Sequence, residues 1–125
     1  MENELKHIEE GINRVMELCH NRSNSAGWWS YDDDGMIIDV PQKLCLIHSE
    51  ISEALECDRK GLMDDKLPHR EGIEVELADA LIRIFDLAGA MGMDIGGALV
   101  EKLEYNRNRA DHKPENRVKD GGKKY

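Results

Sequence analysis

The chain has 125 residues, of which 34% are charged and 40% hydrophobic, and its formal net charge is −9 at pH 7. This length predicts one domain with a single core. The acidic balance argues against binding to nucleic-acid polymers, which requires a basic surface. No apolar stretch approaches the ~20 residues that span a bilayer, and the polar N-terminus does not resemble a secretory signal. We therefore expect a cytoplasmic protein without a membrane partner.

Apolar periodicity predicts four helices and no strand. The first covers residues 3–21 and stops at the turn formers of residues 21–25, which a loop follows. The second starts near Pro41 and reaches about Lys60, where Gly61 ends it. The third covers residues 71–91, and the fourth starts after a capping Asp94 and continues to about residue 110. Residues 111–125 are predicted to be an irregular basic tail of the same domain as residues 1–110.

Helices two and three carry apolar residues on more than one side, which indicates burial on most sides. A monomer of this size can hardly bury two such helices. We therefore expect an all-α bundle of about four helices whose core is completed by self-association, as a homodimer or a dimer of dimers. Cys19, Cys45 and Cys57 form no CxxC pair. They are predicted to be buried free thiols in a reducing compartment.

Two pairs of carboxylates at i, i+3 spacing are the strongest chemical signal: Glu50 with Glu53, and Glu76 with Asp79. Residues three apart share one face of a helix, so two packed helices would bring four carboxylates into one cleft. Like charges at that density need neutralisation, and Mg²⁺ prefers carboxylate oxygens together with water and phosphate. The pattern predicts a Mg²⁺ site, with Mn²⁺ as a substitute, and a phosphate-bearing ligand. A di-iron bundle would need ExxH pairs, which are missing.

Other candidates are aromatic or basic. Trp28 and Trp29 could each stack on a nucleobase or fill the end of the bundle, and we expect one tryptophan in each role. His20 could bond a base or cap the first helix. Positions i, i+4 and i+7 of helix four share a stripe that would suit triphosphate oxygens, although a solvated face is the alternative. These positions are Lys102, Asn106 and Arg109. The acidic run 32–34 is expected to be a solvated turn rather than a calcium loop.

Several segments together resemble the MazG-like, all-α nucleoside triphosphate pyrophosphohydrolases. Residues 47–56 (IHSEISEALE) and 72–80 (GIEVELADA) are similar to the two halves of that family's ExxE and ExxD metal motif. The pair Gly27-Trp28, with Trp29, residues 101–109 (EKLEYNRNR) and the basic ending 121–124 (GGKK) also match. The chain departs from the family at residues 109–112 (RADH), where an insert precedes Gly121.

The resemblance implies Mg²⁺-dependent conversion of a (d)NTP to the (d)NMP and pyrophosphate, as nucleotide-pool housekeeping. It implies four metal ligands, base contacts and phosphate contacts. The ligands would be Glu50, Glu53, Glu76 and Asp79, with Glu53 or Glu50 orienting or deprotonating the water. The base contacts would be His20, Trp29 and Trp28, and the phosphate contacts Lys102, Asn106 and Arg109. The alternatives are a narrower dUTP, dCTP or phosphoribosyl-ATP hydrolase, and a non-catalytic helical dimer that binds a nucleotide or a protein.

Overall fold

A computed structural model describes residues 2–109 and 113–123, and it confirms the all-α class. Five helices and one two-stranded hairpin occur in this part of the chain. They are α1 (Glu2–Ser25), β1 (Tyr31–Asp32), β2 (Gly35–Met36), α2 (Val40–Lys60), α3 (Gly72–Ala90), α4 (Ile95–Asn108) and α5 (Pro114–Arg117). The predicted boundary between domain and tail, at residues 110 and 111, lies outside the described residues, as does Lys124.

The described residues form two compact units. One unit is Arg14–Met93, which contains the second half of α1, the hairpin, α2 and α3. The other unit contains the residues up to Asn13 and those from Asp94 onward. In this second unit the Asn13 side chain links α1 to the start of α4, because its amide oxygen accepts from the Gly96 backbone N–H at 2.7 Å.

Local capping chemistry sets the ends of α2 and α4 where the sequence predicts them. The Asp39 carboxylate accepts from the Gln42 N–H at 3.1 Å, and Pro41 occupies the first turn of α2. The same helix stops at Gly61, whose φ of 62° is left-handed. This conformation costs glycine little. Asp94 caps α4 through the Gly97 N–H at 2.9 Å.

The predicted end of α1 was wrong. The helix continues through residues 21–25 and closes only at Gly27, which has a φ of 84°. The carbonyl oxygens of the last turn accept backbone N–H groups from this closing loop, including Trp28 N–H to Ser23 at 3.2 Å. The Tyr31 hydroxyl also donates to the Asn24 side chain at 2.6 Å. These local bonds around the helix end override the weak helix propensity of Asn and Ser.

Two further differences lie in the segments predicted to be irregular. The loop after α1 contains the hairpin of β1 and β2, where Tyr31 faces Met36. The acidic run forms its turn as expected, and the Asp34 N–H donates to the Asp32 carboxylate at 2.9 Å. The basic tail contains the short helix α5. Both elements are too short to leave a periodic pattern in the sequence.

Few hydrophobic side chains are buried in the described part of the chain. The buried hydrophobic side chains are Met16, Trp29, Ala54, Ala80, Leu87 and Ala88. The cysteines are free, as predicted, but they are not buried: Cys45 is exposed, and Cys19 and Cys57 are half-buried. One chain leaves the outer faces of α2 and α3 open, and Cys45 is on α2. Among the described helices, none combines the length and the apolar character needed to cross a membrane.

Candidate metal centre and adjoining cavity

The antiparallel pair of α2 and α3 positions the carboxylates. The connector between the two helices, residues 61–71, is closed by the Gly72 N–H, which donates to the Leu62 carbonyl at 2.9 Å. Gly72 itself allows close packing at this end of the pair, since a Cβ there would lie 2.7 Å from Cys57 Sγ. The helices therefore run back alongside each other, and the ExxE face of α2 meets the ExxD face of α3.

Three of the four predicted ligands come together. One carboxylate oxygen from each of Glu50, Glu76 and Asp79 lies within 4.8 Å of the others. Glu53 does not belong to this group; its side chain is exposed beside it. The structure thus places the predicted cluster on α2 and α3, with Glu53 adjoining Glu50 and Glu76 but outside the closely spaced group. Glu50, Glu76 and Asp79 are called the carboxylate cluster below.

Arg83 holds one member of the cluster in place. Its guanidinium Nε donates to Glu50 Oε1 at 2.7 Å, and Glu50 is only 8% exposed. Burial acts to raise the pKa of Glu50, but hydrogen bonds, first from Arg83 and then from Glu76, outweigh it and the pKa is lowered. Glu50 is therefore the member of the cluster whose ionised form the surroundings favour.

The other two members of the cluster, Glu76 and Asp79, have raised pKa values. Burial, followed by the neighbouring Glu50 and Glu53 carboxyls, raises the pKa of Glu76 to about 8. Burial and the charge of Glu50 also raise the pKa of Asp79. Glu76 Oε2 is buried and has no hydrogen-bond partner among the described residues. An unpartnered buried oxygen beside two more carboxylates is a donor set that fits a hard divalent cation.

A cavity of about 770 Å³ opens beside the cluster within the same unit. This volume lies in the range of small-ligand and cofactor sites. Glu50 and Asp79 line it together with Trp28 and Asp86. Its walls also include aliphatic side chains, among them Leu18 and Ile82. The cavity can therefore accept a ligand with both a charged part and a flat apolar part.

The two tryptophans have different environments. Trp28 is 75% exposed and lines the cavity, whereas Trp29 is 5% exposed. Trp29 is therefore an interior residue, while the predicted contact of a tryptophan with a nucleobase stays a prediction. The Trp29 ring is covered by Lys43, whose Nζ lies 4.2 Å from the ring centroid. Only Trp28 of this pair presents an accessible ring face.

His20 and Trp29 are held by a shared acceptor, Asp86. The Trp29 indole N–H donates to Asp86 Oδ1 at 2.9 Å, and His20 Nδ1 lies 2.9 Å from the same oxygen. The two rings meet edge to face with centroids 5.5 Å apart. His20 lies inside α1, so it does not cap that helix. Close packing fixes it further, since a Cβ on Gly89 would lie 2.7 Å from its Cβ.

The predicted phosphate contacts lie in the other unit, around one aromatic ring. Lys102 Nζ is 4.6 Å and Arg109 Cζ is 5.8 Å from the Tyr105 ring centroid. Arg109 follows the end of α4 with extended backbone, so the predicted helical stripe ends before it. Asn106 Oδ1 is buried and unpartnered within residues 2–109 and 113–123.

Arg83, Asp86 and Lys43 were not predicted from the sequence as site residues. A signal for the first two was present, because Glu76, Asp79, Arg83 and Asp86 have spacings of three, four and three residues. Such spacings place all four on one face of α3. A charged face along an otherwise apolar helix is typical of a site rather than of a core. Lys43 has no comparable signal, because its contact with Trp29 depends on the fold of the loop.

Comparisons with protein-family models, with curated proteins and with solved structures find no match for this chain.

Proposed function

We propose that the chain is a divalent-metal-dependent nucleoside triphosphate pyrophosphohydrolase of the MazG-like, all-α type. The observation that carries the proposal is the carboxylate cluster, whose oxygens lie within 4.8 Å of one another at the wall of a nucleotide-sized cavity. The resemblance of residues 47–56 and 72–80 to the ExxE and ExxD motif supports the same activity. The proposed reaction converts a (d)NTP and water to a (d)NMP and pyrophosphate.

The cluster provides the ligands for Mg²⁺, or for Mn²⁺ in its place. Glu50, Glu76 and Asp79 would hold the cation. Coordination would give a partner to Glu76 Oε2, which is buried without a hydrogen bond among the described residues. When bound, such an ion neutralises phosphate charge and makes a water more acidic. Arg83 keeps the Glu50 carboxylate ionised and oriented for this role, because its Nε–H donates at 2.7 Å.

Glu53 is the proposed general base. It is exposed, lies beside the cluster and is outside the group of closely spaced oxygens, so it is available to accept a proton. In the proposed step the water oxygen attacks phosphorus, the phosphoanhydride bond between the α- and β-phosphates breaks, and pyrophosphate leaves. The water proton passes to Glu53. Positioned proton transfer of this kind contributes typically 10²–10⁴-fold to a rate.

Trp28 is the proposed platform for the base, since its exposed indole lines the same cavity as the cluster. Stacking on such a face is worth about 1–3 kcal/mol per base and tolerates different bases. The phosphate contacts of Lys102, Asn106 and Arg109 stay predictions from the sequence.

We also propose that a second copy of the chain covers the outer faces of α2 and α3. Leu44, Ile51 and Leu55 form one apolar stripe on α2, and all three are 46–59% exposed. Leu77 and Leu81 form a similar stripe on α3, at 46% and 51%. Exposed apolar stripes on adjoining helices are typical of interfaces between subunits.

The test is pyrophosphate release from a panel of canonical dNTPs and NTPs, with Mg²⁺ or with EDTA. We expect Mg²⁺-dependent release that falls 10²-fold or more in Glu53→Gln. Glu56→Gln is the matched control, since Glu56 lies one turn further along α2 and pairs with Lys60 at 2.8 Å. It should leave the rate unchanged. Folding of each variant is checked by circular dichroism.

The outcomes separate the alternatives. Release from a single nucleotide would indicate a narrower hydrolase. Nucleotide binding without release, equally strong in Glu53→Gln, would favour a non-catalytic helical binding module. Release that persists in EDTA, or in a well-folded Glu53→Gln variant, would contradict the proposed mechanism.

A further inference from the structure

Asp86 lies in the same cavity as the carboxylate cluster but takes no part in it. It is on the same face of α3 as Asp79 and seven residues further along, which corresponds to about 10 Å along the helix axis. A nucleoside triphosphate has its phosphates at one end and its base at the other. If phosphates lie at the cluster, a wall residue at this distance is placed to meet the base.

One oxygen of Asp86 is occupied and the other is not. Oδ1 faces both the Trp29 N–H and His20 Nδ1 at 2.9 Å, and a carboxylate oxygen has about two acceptor sites. Oδ2 has no hydrogen bond or ion pair within the described part of the chain. The side chain is 17% exposed and lines the cavity.

The nearby cations are engaged elsewhere. Arg83 lines the cavity but donates to Glu50, and Lys43 lies over the Trp29 ring at 4.2 Å. The remaining cation of the wall, Arg22, is exposed and forms no ion pair with Asp86. Oδ2 therefore keeps its acceptor capacity for a ligand.

Resting on the proposed function, we infer that Asp86 selects nucleotides whose base carries an exocyclic amino group, as in cytosine or adenine. An ionised carboxylate only accepts hydrogen bonds, so it favours an amino N–H and disfavours a carbonyl oxygen in the same place. Trp28 then supplies stacking that is indifferent to this substitution. Asp86 is a specificity-determining residue that contacts the base and leaves the phosphates to the cluster.

Matched nucleotide pairs test this directly. dCTP and dUTP differ at the 4-position of the ring, and dATP and dITP differ at the 6-position, each as amino against oxo. We expect kcat/KM to be roughly 10- to 100-fold higher for the amino member of each pair, the range of one charge-assisted hydrogen bond. Equal values for the two members of both pairs, in an active enzyme, would overturn the assignment and leave the pyrophosphohydrolase proposal intact.

Asp86→Asn provides a sharper test. Its carbonyl oxygen can still accept from Trp29 and His20, while its amide N–H₂ replaces Oδ2 and presents donors. The amino-to-oxo ratio should therefore fall to one or below. Asp34→Asn, in the exposed hairpin turn, is the matched control and should keep the wild-type ratio. A well-folded Asp86→Asn enzyme with an unchanged ratio would overturn the proposal, because a purely structural role moves all four rates together.

Absence of hydrolysis has its own interpretation. If the wild-type chain releases pyrophosphate from none of the four nucleotides, the proposed function fails. Isothermal titration with the same four nucleotides and Mg²⁺ then measures the base preference without turnover. Tighter binding of dCTP than dUTP, and of dATP than dITP, would support the role of Asp86. Equal or undetectable binding would overturn it.

Discussion

Replacing Arg83 by glutamine removes the guanidinium that stabilises a buried carboxylate. Breaking a buried ion pair by deleting one partner costs about 3–5 kcal/mol, whereas exposed pairs contribute about 0–1 kcal/mol. The Glu50 side chain is 10% exposed, but Arg83 is 42% exposed, so the pair lies between these limits. We expect Arg83→Gln to lower the free energy of unfolding by about 1.5–3 kcal/mol. For a chain of this size, that corresponds to a fall in Tm of about 5–12 °C.

Arg70→Gln is the matched control for this measurement. Arg70 pairs with Glu74 at 2.9 Å, nearly the same distance, but both side chains are more than half exposed. Its loss should cost no more than about 0.5 kcal/mol. Thermal and urea unfolding, followed by circular dichroism in EDTA, would compare the two variants. If Arg83→Gln unfolds at the same midpoint as Arg70→Gln, the inference that Glu50 depends on Arg83 is wrong.

Two further predictions concern the cluster and the outer faces of α2 and α3. Because the folded-state pKa of Glu76 is about 8 and its ordinary value is 4.5, the folded chain binds more protons than the unfolded chain across this window. In EDTA, the free energy of unfolding should therefore decrease as pH rises from about 5 to 8, by on the order of 1–3 kcal/mol, and melts of Glu76→Gln should lack this decrease. Leu55→Glu should shift sedimentation toward the monomer, whereas Val118→Glu, at a position that is 85% exposed outside these two helices, should not. A wild-type chain that sediments as a monomer would contradict the proposed self-association.

The parts of the fold that depend on local chemistry could be predicted from the sequence. Pro41, Gly61 and Asp94 act on backbone groups within a few residues, so their effect is the same in any context. The two carboxylate pairs were recognisable for a similar reason, since i, i+3 spacing fixes a shared helix face.

The remaining features depend on contacts between distant residues. Arg83 meets a carboxylate 33 residues away, and Asp86 accepts from side chains 57 and 66 residues away. No local pattern specifies such partners. The same limit applies to Trp28 and Trp29, because adjacent residues of one type can have opposite environments. The thiols were misjudged because an apolar neighbourhood in sequence does not establish which face of a helix is covered.

The connector of residues 61–71 has a consequence for the order of folding. Both halves of the carboxylate cluster lie on the two helices that this short segment joins, so bringing the helices together costs little loop-closure entropy. Pairs of this kind form early, before contacts of higher sequence separation. We therefore expect the repulsion between Glu50, Glu76 and Asp79 to arise as soon as α2 and α3 close on each other, and to raise the barrier for folding as well as destabilise the folded chain.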